Sequence, residues 1–141
     1  MSDLGENLRT TIIASTAIAA VFPGLADPGA VQQGVEMENP PLPRIWYQRT
    51  NEEDDRDLEG GPGLVTSEWT IEVISDDLDE AQEIALAARR YLDCYRGALG
   101  TQTVEGIFAG SQTDDYVPGG VAAESGLCVS ALALQIFLNS T

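Results

Sequence analysis

Residues Leu64–Gly97 read "LVTSEWTIEVISDDLDEAQEIALAARRYLDCYRG" and place a strand directly against a helix. From Leu64 to Ser75, Val65, Ser67, Trp69, Ile71 and Val73 fall on one side, and Thr66, Glu68, Thr70 and Glu72 fall on the other. That alternation is the signature of a strand with one buried face. After Ser75 the period changes. Ala81, Ile84, Ala85, Ala88, Tyr91, Leu92 and Tyr95 recur at helical spacing. Asp77 offers an N-cap, Glu80 three residues on completes an Asp form of the capping box, and acids fill the first turn, where the helix dipole favours them. Arg89, Arg90 and Arg96 crowd the carboxyl end, and Gly97 is the expected stop.

Working outward, "RIWYQRT" (Arg44–Thr50) is aromatic and β-branched and predicts a strand. It pairs antiparallel with the alternating strand across a long hairpin loop, "NEEDDRDLEGG" and the turn that follows it. Downstream, strands are expected near Thr103–Gln112 and Leu127–Leu138, with the polar loop "DDYVPGGVAAESG" between them. In the last strand Cys128, Ser130, Leu132, Leu134, Ile136 and Leu138 share a face, yet Val129, Ala131, Ala133 and Phe137 make the other face apolar too. Such a strand is either central in a covered sheet or covered by a neighbouring subunit. At the amino end, Ser2 and Asp3 cap a helix from Leu4 to Val21, with Leu4, Leu8, Ile12, Ser15, Ala19 and Phe22 on one side. Pro23-Gly24 ends it, and residues to Pro43 read as a surface loop with extended pieces. The expected order is α-β-β-α-β-β. This is an α+β fold in which two helices pack on one face of a mainly antiparallel sheet of four strands or slightly more. At 141 residues, 1–141 is expected to be a single domain.

The charge balance is unusual. There are 23 acids against 7 bases, a formal net charge of −16, with every base an arginine and no histidine. High acid without lysine resembles proteins of salt-loving organisms, where about 1 M salt cuts the screening length to roughly 3 Å and self-repulsion fades. Gripping nucleic acid requires clustered basic residues, so that class is disfavoured. Without histidine there is no ordinary Ser-His relay and the commonest zinc ligand is missing. "GGPG" and "PGG" lack the phosphate-binding glycine pattern. Cys94, in the predicted helix, and Cys128, in the predicted last strand, are expected to be buried reduced thiols. "TTIIASTAIAAVF" is preceded by Asp3 and Glu6 against Arg9, unlike a secretory signal, and is short of the ~20 residues that span a bilayer. A soluble intracellular chain is expected.

Glu52, Glu53, Asp54, Asp55, Asp57 and Glu59 cluster around one arginine in the first loop. From Asp55, "DRDLEG" begins like an EF-hand, but the twelfth position is Thr66 and a strand follows, so the helix-loop-helix reading fails. A looser divalent site at Asp55, Asp57 and Glu59 stays open beside a solvated hairpin tip. Asp114, Asp115 and Tyr116 repeat the pattern more weakly. Trp46 and Trp69 on adjacent strands read as core or subunit-contact aromatics, as does Phe137. No catalytic set emerges and no cofactor is expected; a small cation-binding protein or cation-dependent enzyme is the remaining alternative.

The amino-terminal helix, then "PPLPRIWYQRT", "SEWTIEVIS" and "DDLDEAQEIALAARRYLDCYRG" together resemble the tail-terminator (tail-completion) proteins of long-tailed double-stranded DNA viruses. The similarity runs from about Leu4 to Leu138 and is carried by order and spacing; the long acidic loop and lysine-free surface depart from it. The resemblance implies a non-enzymatic virion protein assembled in the host cytoplasm, and the lysine-free surface fits a virus of a salt-loving, archaeal host. It implies a homohexameric ring at the tail–neck junction that caps the tail tube, halts polymerisation and meets a head-tail connector or neck protein. Genome DNA would pass through without specific binding, no membrane is involved, and the acidic residues would face the lumen or a neighbouring ring. Another neck component, a head-closure or tube-adaptor ring, is the alternative within the same particle.

Overall fold

The computed structural model describes residues 3–26, 30–34, 43–55, 64–99, 102–117 and 127–139. In chain order the elements are α1 (Asp3–Ile13), α2 (Thr16–Ala19), β1 (Val31–Gln33), β2 (Arg44–Asp55) and β3 (Leu64–Ser75). They continue with α3 (Leu78–Leu92), β4 (Gly97–Leu99), β5 (Gln102–Val117) and β6 (Leu127–Asn139). One six-stranded sheet has the order β1-β2-β3-β6-β5-β4. All neighbours are antiparallel except β1, which lies parallel to β2.

The sequence alternation fixes which face is buried. On β3, Ser67, Trp69, Ile71 and Val73 are buried and stand opposite Ile136, Leu134, Leu132 and Ser130 of β6. Over this face lies α3, whose Ala81, Ile84, Ala85, Ala88 and Leu92 are buried. Three of those five are alanines, so the helix backbone approaches the sheet closely. Ile71 and Leu132, 1% and 0% exposed, each contribute roughly 1.5–3 kcal/mol by burial. Tyr47 of β2 brings α1 onto the same face: its hydroxyl donates to the Gly5 carbonyl at 2.7 Å, and its ring sits 5.9 Å from that of Trp69.

The α3 start departs in detail from a simple capping box. Asp77 is the N-cap and accepts from the Asp79 amide at 3.0 Å. Glu80, however, does not reach the Asp77 amide directly. Ser75 stands between them, accepting from the Asp77 amide at 3.1 Å and donating to Glu80 Oε1 at 2.7 Å.

The fold class holds, and the element list needs correction. The sheet has six strands because two three-residue pieces, β1 and β4, extend its ends. Neither is long enough to show a period. The expected helix Leu4–Val21 is broken at Ala14–Ser15 into α1 and α2. The run Thr10-Thr11-Ile12-Ile13 is a poor helix continuation, and Ser15 restarts the helix by accepting from the Ile18 amide at 3.2 Å. Helix α3 stops at Leu92, before the expected Gly97. Asp93 turns the chain onto β5 by accepting from the Ala109 amide at 3.0 Å, and Cys94 takes a left-handed φ of 65° while donating its amide to the Ile107 carbonyl at 2.8 Å.

Cys94 is therefore outside the helix and exposed, contrary to expectation, whereas Cys128 is buried in β6; both are free thiols. In the native protein one thiol should react promptly with a chromogenic disulfide, and the second only after denaturation. Two prompt thiols would contradict the packing around Cys128.

Burial pushes the Tyr47 phenol well above its ordinary value of 10.0, Arg9 pulls it part of the way back, and Glu6 adds to the rise. Partial burial, and then Tyr95, raise Tyr91 in the same direction. Above about pH 10 the unfolded chain releases these protons while the folded chain keeps them, so stability falls as pH rises. Tyr47→Phe is expected to flatten that alkaline decline and to cost about 0.5–1.5 kcal/mol at neutral pH, the net worth of one hydrogen bond, because the Gly5 carbonyl lies within α1 and loses only this added donor. Urea midpoints near neutrality and above pH 10 measure both effects; an unchanged alkaline slope would contradict the assignment.

Candidate assembly surface

Beyond the helix-covered face, the sheet presents a second side. Its middle is β6, whose outward residues Val129, Ala131, Gln135 and Phe137 are half-buried and whose Ala133 is exposed. Phe108 of β5, opposite Gln135, is 57% exposed. Along β3 the outward residues are Thr66, Glu68, Thr70 and Glu72, which edge the apolar stripe with carboxylates. Among the described residues no helix covers this stripe.

The first of two irregularities in β5 puts Phe108 there. The β5–β6 register shifts between Val104 and Gly106 and again between Ala109 and Gln112. Each extra residue resets the alternation, so the buried positions run Val104, then Ile107 and Ala109. Strict alternation from Val104 would have buried Phe108. Sequence reading missed this residue, although Gly106 and Gly110, glycines inside a strand, are the signal of a bulge.

Of the three aromatics marked as core or contact, Trp69 is core, 2% exposed, with its indole N–H donating to Ser67 Oγ at 2.7 Å. Trp46 is half-buried and donates to the Gly34 carbonyl. Phe137 is half-buried on the outward stripe.

The acidic stretch lies elsewhere than expected in part. Strand β2 runs to Asp55, so Glu52, Glu53, Asp54 and Asp55 are not loop residues; they pair in register with Ser67, Thr66, Val65 and Leu64. Glu52 is exposed and lies 3.4 Å from Arg49. Asp57 and Glu59 lie outside the described residues, as does the side chain of Asp55, so the three-carboxylate metal reading has no geometry here. Among the described residues no group of three or more potential metal-ligating side chains comes together.

Likewise β5 runs to Val117, which places Asp114, Asp115 and Tyr116 in a strand. Asp114 accepts from Gln82 of α3 at 2.6 Å and from Ser130 Oγ of β6 at 2.7 Å, while Gln112 donates to that same hydroxyl at 3.1 Å. This carboxylate ties the helix to two strands. Asp115 is exposed and pairs with Val129, and the Tyr116 backbone pairs with Cys128.

On the opposite side of the molecule, α3 exposes Leu78 at 41% and Leu86 at 37%. Among the described residues, apolar surface thus stands exposed on two different sides, on the sheet and on the helix. No described helix is long and apolar enough to cross a membrane.

The sequence profile of the family described as tail completion protein gp17 matches residues 6–132. No curated protein matches the sequence. Among solved structures, a chain of the virion of a native gene transfer agent (GTA) particle has a similar fold. The TM-score is 0.61 at 18% identity, over 96% of this chain and 91% of that one.

Proposed function

Because the chain belongs to the tail completion protein gp17 family, we propose that it completes a viral tail as one subunit of a ring. Its role is structural and its place is the virion. The ring, a homohexamer of single-domain subunits, caps the tail tube at the tail–neck junction, ends tube polymerisation and offers its other end to a head-tail connector or neck protein. The observation that carries this reading is the outward stripe of β6. A strand buried on one face by α3 and apolar on the other, next to a 57% exposed Phe108, is built to be covered by another chain.

Cyclic closure needs a heterologous contact, in which two different patches of each subunit meet. The sheet stripe and the leucine-bearing side of α3 are such a pair. A hexamer would carry six times the chain's −16, so its passage repels phosphate and lets the genome through without holding it. The same repulsion makes assembly easier in concentrated salt, consistent with a halophilic host. The ring works by geometry alone, with no catalysis, cofactor or membrane contact.

Removing the gene tests the reading. Electron microscopy of the resulting particles should show overlong tail tubes detached from filled heads. Tails of normal length, joined or not, would contradict a terminating cap.

A further inference from the structure

Three of the seven arginines, Arg89, Arg90 and Arg96, fall within eight residues at the carboxyl end of α3. A surface groove of about 360 Å³ opens there, lined by Leu86, Arg89, Arg90 and Asp93. The helix dipole favours positive charge at this end, yet it requires neither a groove nor an exposed leucine. Asp93, the adjacent acid, engages the Ala109 amide. Among the described residues, none of the three arginine side chains makes an ion pair or hydrogen bond. The other described arginines are occupied: Arg9 donates to the Val31 carbonyl, Arg44 is buried and partnered, and Arg49 lies against Glu52.

The complementary surface is in the same chain. Strand β1 covers β2 only from Ile45 to Tyr47, so from Gln48 to Asp55 that edge has no described strand beside it. Its last four residues, Glu52, Glu53, Asp54 and Asp55, are all acids, of which Glu52 lies 3.4 Å from Arg49 of its own chain in a solvent-exposed pair that a second arginine can share. Charges on an edge guard against indiscriminate strand pairing and leave it suited to a surface of opposite sign. In a chain of net charge −16, the end of α3 is that surface.

We propose that the groove at the carboxyl end of α3 receives the acidic edge of β2, Glu52 to Asp55, from a neighbouring copy of this chain. The inference rests on the ring reading above and names what sets its register. The acidic edge belongs to the same sheet as the apolar stripe, so one neighbour meets both. The stripe supplies burial. The charged contact selects the correct angle and rejects the like-charged edges that a −16 chain otherwise presents.

Sedimentation velocity of the full chain, at a salt concentration where the wild type associates, provides the test. Arg89→Glu with Arg90→Glu should weaken association at least ~30-fold, and Glu52→Arg with Glu53→Arg should do the same. Combining all four should restore it, with thermal melts showing every variant folded. An arginine reversal that leaves the ring intact, or a combination that fails to rescue, overturns the docking while sparing the ring. A wild-type monomer at every salt concentration overturns the ring itself. If the reversed arginines keep the ring and lose retention of duplex DNA, the groove is a phosphate site and the proposal falls.

Discussion

Phe108→Asp is expected to dissolve the ring and leave the subunit folded. Phe108 is the most exposed of the large apolar side chains described, at 57%, and it stands on the outward side of β5 beside the apolar face of β6. In the isolated chain the ring is mostly in water, so replacing it should cost less than about 1 kcal/mol of folding stability. In the ring, the same substitution puts a carboxylate into a desolvated apolar contact, two strands away from the carboxylates of β3. Truncating a central interface aromatic costs about 2 kcal/mol or more, and an unpaired buried charge adds to it, so association should fall at least ~30-fold. A melting temperature close to wild type together with a monomeric sedimentation profile is the expected outcome. A ring that survives Phe108→Asp would place the subunit contact elsewhere.

Trp69→Ala is expected to do the reverse and destroy the fold. Trp69 is 2% exposed, packs 5.9 Å from the Tyr47 ring, and donates its indole N–H to Ser67 Oγ. Its register partner is Leu134, beneath α3. Truncation opens a large cavity and leaves the buried Ser67 hydroxyl without this donor, a combined loss of about 3–5 kcal/mol. Domains of this size have roughly 5–15 kcal/mol in total, so the variant should unfold at much lower urea or not fold at all. A midpoint shift worth less than about 1 kcal/mol would mean that the Trp69 site collapses freely, contrary to the packing described.

The two substitutions also mark how far the sequence could be read. Period-two alternation puts Trp69 on the apolar side of its strand and leaves core and subunit contact both open, while the central strands and α3 follow from periods of two and 3.6 residues sustained over long stretches. Where the signal is brief or interrupted, it fails. Strands β1 and β4 are three residues each, and β1 owes its place to pairing with β2 rather than to its own residues. The break at Ser15 turned on a β-branched run and a local cap that a hydrophobic pattern passes over. Phe108 was hidden because a bulge between Val104 and Gly106 shifts the phase of β5, and burial depends on phase. The acids from Glu52 to Asp55 looked like a loop because charge is a weak strand former; pairing with β3 holds them extended. The arginines ending α3 are accounted for by the helix dipole, and only the arrangement of all the described arginines shows that these three have no partner among the described residues.

The most direct measurement is the native mass of the full chain as salt is raised toward about 1 M, where screening brings the repulsive range down to roughly 3 Å. The expected result is a discrete ring of several subunits, six for the proposed hexamer, that grows in population with salt and dissociates when salt is removed. A single-chain mass at every salt and protein concentration would contradict it.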